Sequence, residues 1–376
     1  MGRGRRAALV LAGGAVATVA AGCHLGTPRR TVDVPATAVA TGDLNGDGVP
    51  DLATVGNDTV AVHVSDGVGD VVTTTYERDD EFGQVAYLGV EVFDGDDDGD
   101  LDLAVFDYYE RAGLGGARLW VNDGTGAVVV GPFVGPGGFG RDLAAGDVDG
   151  DGADDLAVAD ENATGVSVGN GTAPATEVDL PDSGGWAVDV ADVDGDGLDD
   201  VLVGRSPFLP GGPPAAGVAV YLATGSGTFA APTFVPTDGS TPFVQAVRAG
   251  DVDGDGALDI AVGSTAVGGG GGVVSVLLGA GDGTFAPAPA GPYSAANPDD
   301  VELADIDSDG SLDAIVHGTL VAFGDGTGGF AAHHAVLAGG DGAVVDLDLD
   351  GTDDLASATP QLYLFLNRLE GARGHD

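Results

Sequence analysis

The chain has 376 residues, among them 68 glycines and a single cysteine, and sets 13 Lys and Arg against 60 Asp and Glu for a formal charge of −47. So few cations leave no basic surface to neutralise phosphates, which argues against nucleic acid or an anionic membrane face as a partner. One cysteine excludes an internal disulfide, and aliphatic and β-branched runs alternating with acidic turns, at 43% hydrophobic residues overall, argue for a folded core rather than a disordered acidic chain.

The first predicted element is an export signal over residues 1–22. Arg3, Arg5 and Arg6 lead into apolar Ala7–Ala21, and the stretch ends Val19-Ala20-Ala21-Gly22-Cys23. It is shorter than the ~20 apolar residues a membrane span needs. Small residues before a cysteine resemble a bacterial lipoprotein signal, with Ala20 where Leu is usual, which implies lipidation of Cys23 after cleavage. An ordinary cleaved signal with an incidental cysteine is the alternative. The lipoprotein reading places the protein at the cell surface or in the periplasm of a bacterium, with residues 23–30 as a tether.

From residue 31 to 367 the chain repeats. Nine-residue acidic segments occur as DLNGDGVPD from Asp43, DGDDDGDLD from Asp94, DVDGDGADD from Asp147, DVDGDGLDD from Asp192, DVDGDGALD from Asp251, DIDSDGSLD from Asp305 and DLDLDGTDD from Asp346. Their starts lie 51, 53, 45, 59, 54 and 41 residues apart. A short apolar run follows each, such as DLATV from Asp51 and DIAVG from Asp259, too short for a helix and alternating as strands do. Gly-rich turns such as GTGAVVV from Gly124 and GSGTFAAP from Gly225 place a further strand pair in most units. Four strands per unit of about 40–50 residues predict an all-β, seven-bladed β-propeller.

The end of the chain is asymmetric. The last unit stops after its third strand, near Leu362–Leu366, while Thr31–Pro35 precedes the first unit with strand-like alternation and no partner. Thr31–Pro35 is therefore expected to supply the fourth strand of the last blade and shut the ring without an exposed edge. Residues 368–376 form a C-terminal tail.

Acids at positions one, three, five and nine of a tight loop, here Asp147, Asp149, Asp151 and Asp155 with the Ala153 carbonyl between them, converge on one point. Clustered carboxylates repel unless a cation joins them, and oxygen ligands without His or Cys favour Ca²⁺. These are not EF-hands, because position twelve is Thr54 in the first loop and Val158 in the third. The loops, with Phe82-Gly83 and Phe139-Gly140 as aromatic-glycine elements and Trp186 and Phe243 at comparable places, resemble the FG-GAP or VCBS repeats of integrin α-chain propellers. The resemblance implies up to seven bound Ca²⁺ ions. Their ligands would be Asp43, Asn45, Asp47 and Asp51 in the first loop; Asp94, Asp96, Asp98 and Asp102 in the second; and the third set named above. They continue as Asp192, Asp194, Asp196 and Asp200; Asp251, Asp253, Asp255 and Asp259; Asp305, Asp307, Asp309 and Asp313; and Asp346, Asp348, Asp350 and Asp354. Asn45 in place of an acid predicts a weaker first site, and Leu349 stands where glycine is usual.

No catalytic constellation is legible. The six histidines pair with no Cys or Ser motif, and neither G-x-S-x-G nor H-E-x-x-H occurs. By the resemblance, ligands engage the face opposite the calcium loops, where Tyr108, Tyr109 and Arg111 are candidate contacts for a protein or glycan. A packed loop is the alternative reading of that cluster. The leading expectation is a non-enzymatic surface binding or adhesion module that is monomeric. A lectin-like carbohydrate binder is the alternative, weakened by 6% aromatic content, and a propeller-based polysaccharide lyase finds little support among 13 Lys and Arg.

Overall fold

The computed structural model describes residues 30–56, 58–77, 85–109, 114–134, 140–160, 164–168, 176–181, 184–208, 212–213, 215–237, 241–267, 271–316, 320–335 and 340–367. The signal, Cys23, Arg111, Phe82-Gly83, Phe139 and the tail from 368 lie outside them. Among the described residues no helix is long and apolar enough to cross a membrane.

The described chain is all-β and forms seven antiparallel sheets, a seven-bladed β-propeller. Blade one runs Ala38–Gly42, Asp51–Gly56, Thr59–Ser65 and Val71–Glu77, paired in chain order. The first strands of the other blades are Val85–Phe93, Gly140–Gly146, Ala187–Ala191, Phe243–Gly250, Val301–Ala304 and Asp341–Val345. These strands surround a common axial cavity. Every second strand begins on the ninth residue of an acidic loop: Asp51, Asp102, Asp155, Asp200, Asp259, Asp313 and Asp354. All seven acidic loops therefore turn from first to second strand at one end of the barrel-like ring, as the repeat register requires.

The seventh sheet contains three strands from the end of the chain and one from its beginning. Arg30–Pro35 pairs antiparallel with Gln361–Phe365, Thr31 opposite Tyr363 and Val32 opposite Leu362. Val32 and Val34 point inward and pack with Leu362, Leu364 and Leu366, while the alternate residues Thr31, Asp33 and Pro35 are exposed. The Arg30 guanidinium pairs with Asp70 of blade one, tying the closing strand to the neighbouring blade.

Blade five departs from four strands. Its fourth position is divided into Phe285–Pro287 and Tyr293–Ala295, both paired with Gly272–Gly279. Pro287, Pro289 and Pro292 lack the N–H that an uninterrupted ladder needs, so the strand breaks where prolines cluster. Gly272, the last of the glycine run 268–272, already belongs to the third strand.

Apolar contacts lie between blades. Ala38, Val55 and Val62 of blade one meet Val90, Leu103, Val105 and Trp120 of blade two in one buried cluster. Where first strands enter the acidic loops, glycine permits close approach. A Cβ at Gly42 would lie 2.7 Å from Val92 Cγ1, and one at Gly146 would lie 2.6 Å from Val190 Cγ1 of the next blade.

Candidate functional site: acidic loops and an axial cavity

The loops share one internal design. The position-one carboxylate folds the turn around itself: Asp147 Oδ1 accepts hydrogen bonds from the N–H groups of Gly150 and Asp151 at 2.7 and 3.2 Å, and Oδ2 accepts one from Gly152 at 2.9 Å. Asp192 and Asp251 repeat the set. Such turns need left-handed backbone at positions four and six, met by glycine at Gly150 and Gly152. Asp97, Ser308 and Leu349 hold the fourth position with φ of 58°, 58° and 52°. Short polar Asp tolerates this conformation better than Leu does.

Position two anchors the loop to the core. Leu44, Val148, Val193, Val252, Ile306 and Leu347 are buried. In the second loop that place is Gly95, and a Cβ there would lie 2.4 Å from Leu119 Cδ1, so neighbouring side chains fill the space.

Position nine is a clamp that sequence reasoning assigned only to a cation. Asp200 Oδ2 accepts from Val193 N–H at 3.1 Å and Oδ1 from Ala223 N–H at 2.8 Å, joining the loop to the end of the third strand. The same pair of bonds recurs at Asp51 with Leu44 and Ser65, at Asp313 with Ile306 and Gly324, and at Asp354 with Leu347 and Asn367. Neighbouring blades are tied in as well. Asn122 Nδ2 donates to the Leu44 carbonyl of blade one at 2.7 Å, and Asp199, at position eight of the fourth loop, accepts from Asp147 N–H of the third at 3.0 Å. The partners at the ends of the third strands lay outside any motif, and they stand at no fixed spacing from position nine: 14 residues at Asp51, 23 at Asp200 and 11 at Asp313.

The structure brings carboxylates together as the spacing requires, though not all four from each loop. Oxygens of positions one, three and nine lie within 4.8 Å of one another in the loops of Asp94, Asp147, Asp192 and Asp305; in the loop of Asp251 the group is Asp251, Asp253 and Asp255. The position-five acids Asp47, Asp98, Asp151, Asp196, Asp255, Asp309 and Asp350 are exposed at the loop tips. Burial raises the carboxyls of position nine, to about 6 at Asp51 and Asp200 and about 7 at Asp102, Asp313 and Asp354. Burial, then the neighbouring loop acids, also raises Asp96, Asp149, Asp194 and Asp307 at position three. Asp96 Oδ1, Asp102 Oδ2 and Asp307 Oδ1 are buried oxygens with no hydrogen-bond donor. Buried acceptors of this kind are costly unless something satisfies them, and an all-oxygen set suits a hard divalent cation.

A second concentration of charge lies on the axis. A cavity of about 550 Å³ is lined by all seven first strands. Charged residues stand three or five positions before the acidic loops, a spacing of two that keeps them on one strand face. Most are stitched from blade to blade. Asp142 accepts from Val188 N–H at 3.0 Å, Asp189 from Ala249 N–H at 2.7 Å, Asp300 from Gly342 N–H at 2.9 Å and Asp341 from Val39 N–H at 3.0 Å. Arg248 bridges Glu302 at 3.1 Å and Asp189 at 3.7 Å. In the sequence these residues sit inside apolar runs such as VDVAD and VELAD, which conceal them.

On the face opposite the loops, Trp186 and Phe243, just at the starts of adjacent first strands, stack with centroids 5.2 Å apart and an interplanar angle of 3°. Phe208 continues the ladder at 5.3 Å, 64% exposed, and Arg141 lies 5.4 Å from the Trp186 ring. Tyr108 and Tyr109 end the second strand of blade two, Asp102–Tyr109.

Residues 147–203 and 211–262 match the family described as FG-GAP-like repeat. No curated protein sequence matches the chain. Among solved structures, an Agrocybe aegerita lectin described as recognising non-reducing terminal N-acetylglucosamine aligns with a TM-score of 0.54 at 22% identity, over 80% of each chain. BBS1N, solved in complex with ARL6DN, aligns with a TM-score of 0.53 at 11% identity, over 93% of this chain and 97% of that one. Identities this low establish a shared fold and nothing further.

Proposed function

For a seven-bladed β-propeller built with FG-GAP-like repeats, we propose the role of a calcium-stabilised, non-enzymatic binding module displayed outside the cytoplasm on a lipidated Cys23. The observation that carries the calcium reading is the set of buried, donorless carboxylate oxygens at Asp96, Asp102 and Asp307, each in a cluster of loop acids. Positions one, three and nine would hold the ion, with position five closing over it from the loop tip. A bound Ca²⁺ supplies the positive charge that these packed carboxylates lack and stabilises the native state by mass action.

The test is a thermal melt with calcium and after chelation, together with elemental analysis of bound metal. Calcium should raise the melting temperature, and Asp151→Ala should remove one ion while Asp66→Ala, in a turn outside every acidic loop, removes none. An unchanged melting temperature at fixed ionic strength overturns the proposal. Lipidation is tested separately by labelled fatty-acid incorporation, which Cys23→Ser should abolish.

A second reading is glycan recognition on the opposite face. It is supported by the exposed Phe208 ring at the end of the Trp186–Phe243 stack, an aromatic platform of the kind that packs against a sugar face. Terminal N-acetylglucosamine, named for the lectin of similar fold, is the first probe to include in a glycan array. Phe208→Ala should abolish any signal that depends on this platform.

A further inference from the structure

Among the described residues, large exposed apolar side chains concentrate on one edge of the ring. Val68 precedes the outer strand of blade one, Val71–Glu77, and Val72 lies in it; they are 70% and 71% exposed. Leu349, at the tip of the seventh acidic loop, lies against the same turn, since a Cβ at Gly67 would stand 3.3 Å from Leu349 Cδ1. Val129, Val130 and Phe133 continue the surface on the outer strand of blade two, Val128–Phe133, whose Val128 N–H donates to the Tyr76 hydroxyl of blade one at 3.1 Å. Only Phe208 and Val267 stand apart, beyond the second strands of blades four and five on the opposite face.

This surface surrounds the place where the chain enters the fold. Arg30 pairs with Asp70 and donates through Nη2 to the Val71 carbonyl at 3.2 Å, between Val68 and Val72. Free charge is sparse there. No ionisable residue occurs between Asp123 and Arg141, and Asp66 accepts from the N–H groups of Val68 and Asp70 at 3.0 and 2.9 Å. Leu349 holds a left-handed backbone position where its side chain is disfavoured, yet that side chain is turned to solvent. A contiguous apolar surface of this kind marks a contact outside the fold.

We propose that this edge of blades seven, one and two rests on the zwitterionic lipid surface of the membrane that holds Cys23, a proposal that rests on the reading of Cys23 as lipidated. Seven Cα steps separate Cys23 from Arg30 and span at most about 25 Å, against a breadth of roughly 50 Å for a compact domain of this length. The edge around Arg30 is therefore the part of the ring that the anchor draws to the lipid. Its valines and Leu349 exchange water for the boundary of headgroups and acyl chains, while Phe208 and Val267 face away from the membrane. A chain with a formal charge of −47 is repelled by anionic lipid, which leaves a surface without net charge as the fitting partner.

Cys23 is the only thiol in the chain, so coupling the mature chain, which retains every described residue, to maleimide lipid in phosphatidylcholine vesicles sets the anchor chemically. The surface is then tested independently of lipidation in the cell. In calcium, after subtraction of the parent's Trp120 and Trp186 signal, the emission added by Val72→Trp should shift to the blue and be quenched by brominated lipid, whereas that added by Val267→Trp should do neither. Added salt, which weakens electrostatic attachment, should leave the quenching unchanged. Leu349→Gly combined with Val68→Asp, in the chain carrying Val72→Trp, should weaken the quenching without lowering the melting temperature, a separation that a purely structural role for Leu349 does not give. Equal quenching at positions 72 and 267, none at either, or quenching that the paired substitution leaves intact overturns the proposal. So does a dimer in solution that the paired substitution dissociates, which assigns the surface to a second copy of the chain. Fatty-acid labelling of Cys23 in cells is read separately: its absence removes the anchor and the proposal with it, whereas labelling without quenching overturns the lipid-facing surface alone.

Discussion

Asp200 offers the sharpest test of how the acidic loops hold the propeller. Its side chain is fully buried and its two oxygens accept from Val193 N–H at 3.1 Å and Ala223 N–H at 2.8 Å. Asp200→Ala leaves both donors without a partner in a place water does not reach, and each such group costs ~1–3 kcal/mol, for a loss of roughly 2–6 kcal/mol. Asp200→Asn keeps one acceptor and turns an amide donor toward the other N–H, so about half that loss is expected. Calcium sharpens the contrast. Burial raises the Asp200 carboxyl to about 6, so in metal-free protein the ionised side chain is itself disfavoured near neutral pH, and removing it relieves part of the cost. If the loop holds Ca²⁺ as proposed, the same substitution in calcium also removes a ligand. Urea denaturation of the parent and both variants, with calcium and with chelator, measures all of this. Losses within ~0.5 kcal/mol of the parent in calcium would refute the clamp, and equal losses with and without calcium would refute a bound ion at this loop.

Four further outcomes follow from the same geometry. The folded carboxyls of Asp51, Asp102, Asp200, Asp313 and Asp354 sit at about 6 to 7, above the ordinary 3.8, so the folded metal-free protein binds more protons than the unfolded chain across that interval. Metal-free stability should therefore be greatest below pH ~4 with respect to these groups and fall as pH rises through 7, whereas calcium, which requires ionised ligands, should reverse the slope; denaturation across this range with and without the ion checks both signs. Deleting residues 31–35 strips the partner from Gln361–Phe365 and unburies Val32 and Val34, worth roughly 3–6 kcal/mol of apolar burial, so the melting temperature should fall and aggregation rise, while deleting 24–29 should change neither. Gly140→Ala places a Cβ 2.1 Å from the Phe106 ring and should destabilise by about 1–3 kcal/mol, read by thermal melting. Leu349→Gly relieves a left-handed backbone position at a residue that is 53% exposed, and should stabilise by up to ~1 kcal/mol in the same assay.

The periodic acidic loops were legible because each reports chemistry within nine residues: a carboxylate at position one to gather the turn, glycine where the backbone turns left-handed, an apolar anchor at position two, and an acid that opens the next strand. Seven copies at propeller spacing then dictate the blade count. The alternation of Thr31–Pro35 and the truncated last unit pointed to the partner that Arg30–Pro35 finds in Gln361–Phe365. What the sequence alone could not yield are contacts between strands far apart in the chain and between blades. The clamp from Asp200 to Ala223 spans 23 residues, Asn122 reaches Leu44 across 78, and Asp341 meets Val39 across 302. The stack of Trp186 on Phe243 and the ring of acids around the axis arise the same way. Local pattern fixes six blades because their ladders join chain neighbours, while the seventh takes its outer strand from the start of the chain; the cavity exists only after seven blades close, since no single repeat contains enough of its wall to reveal it.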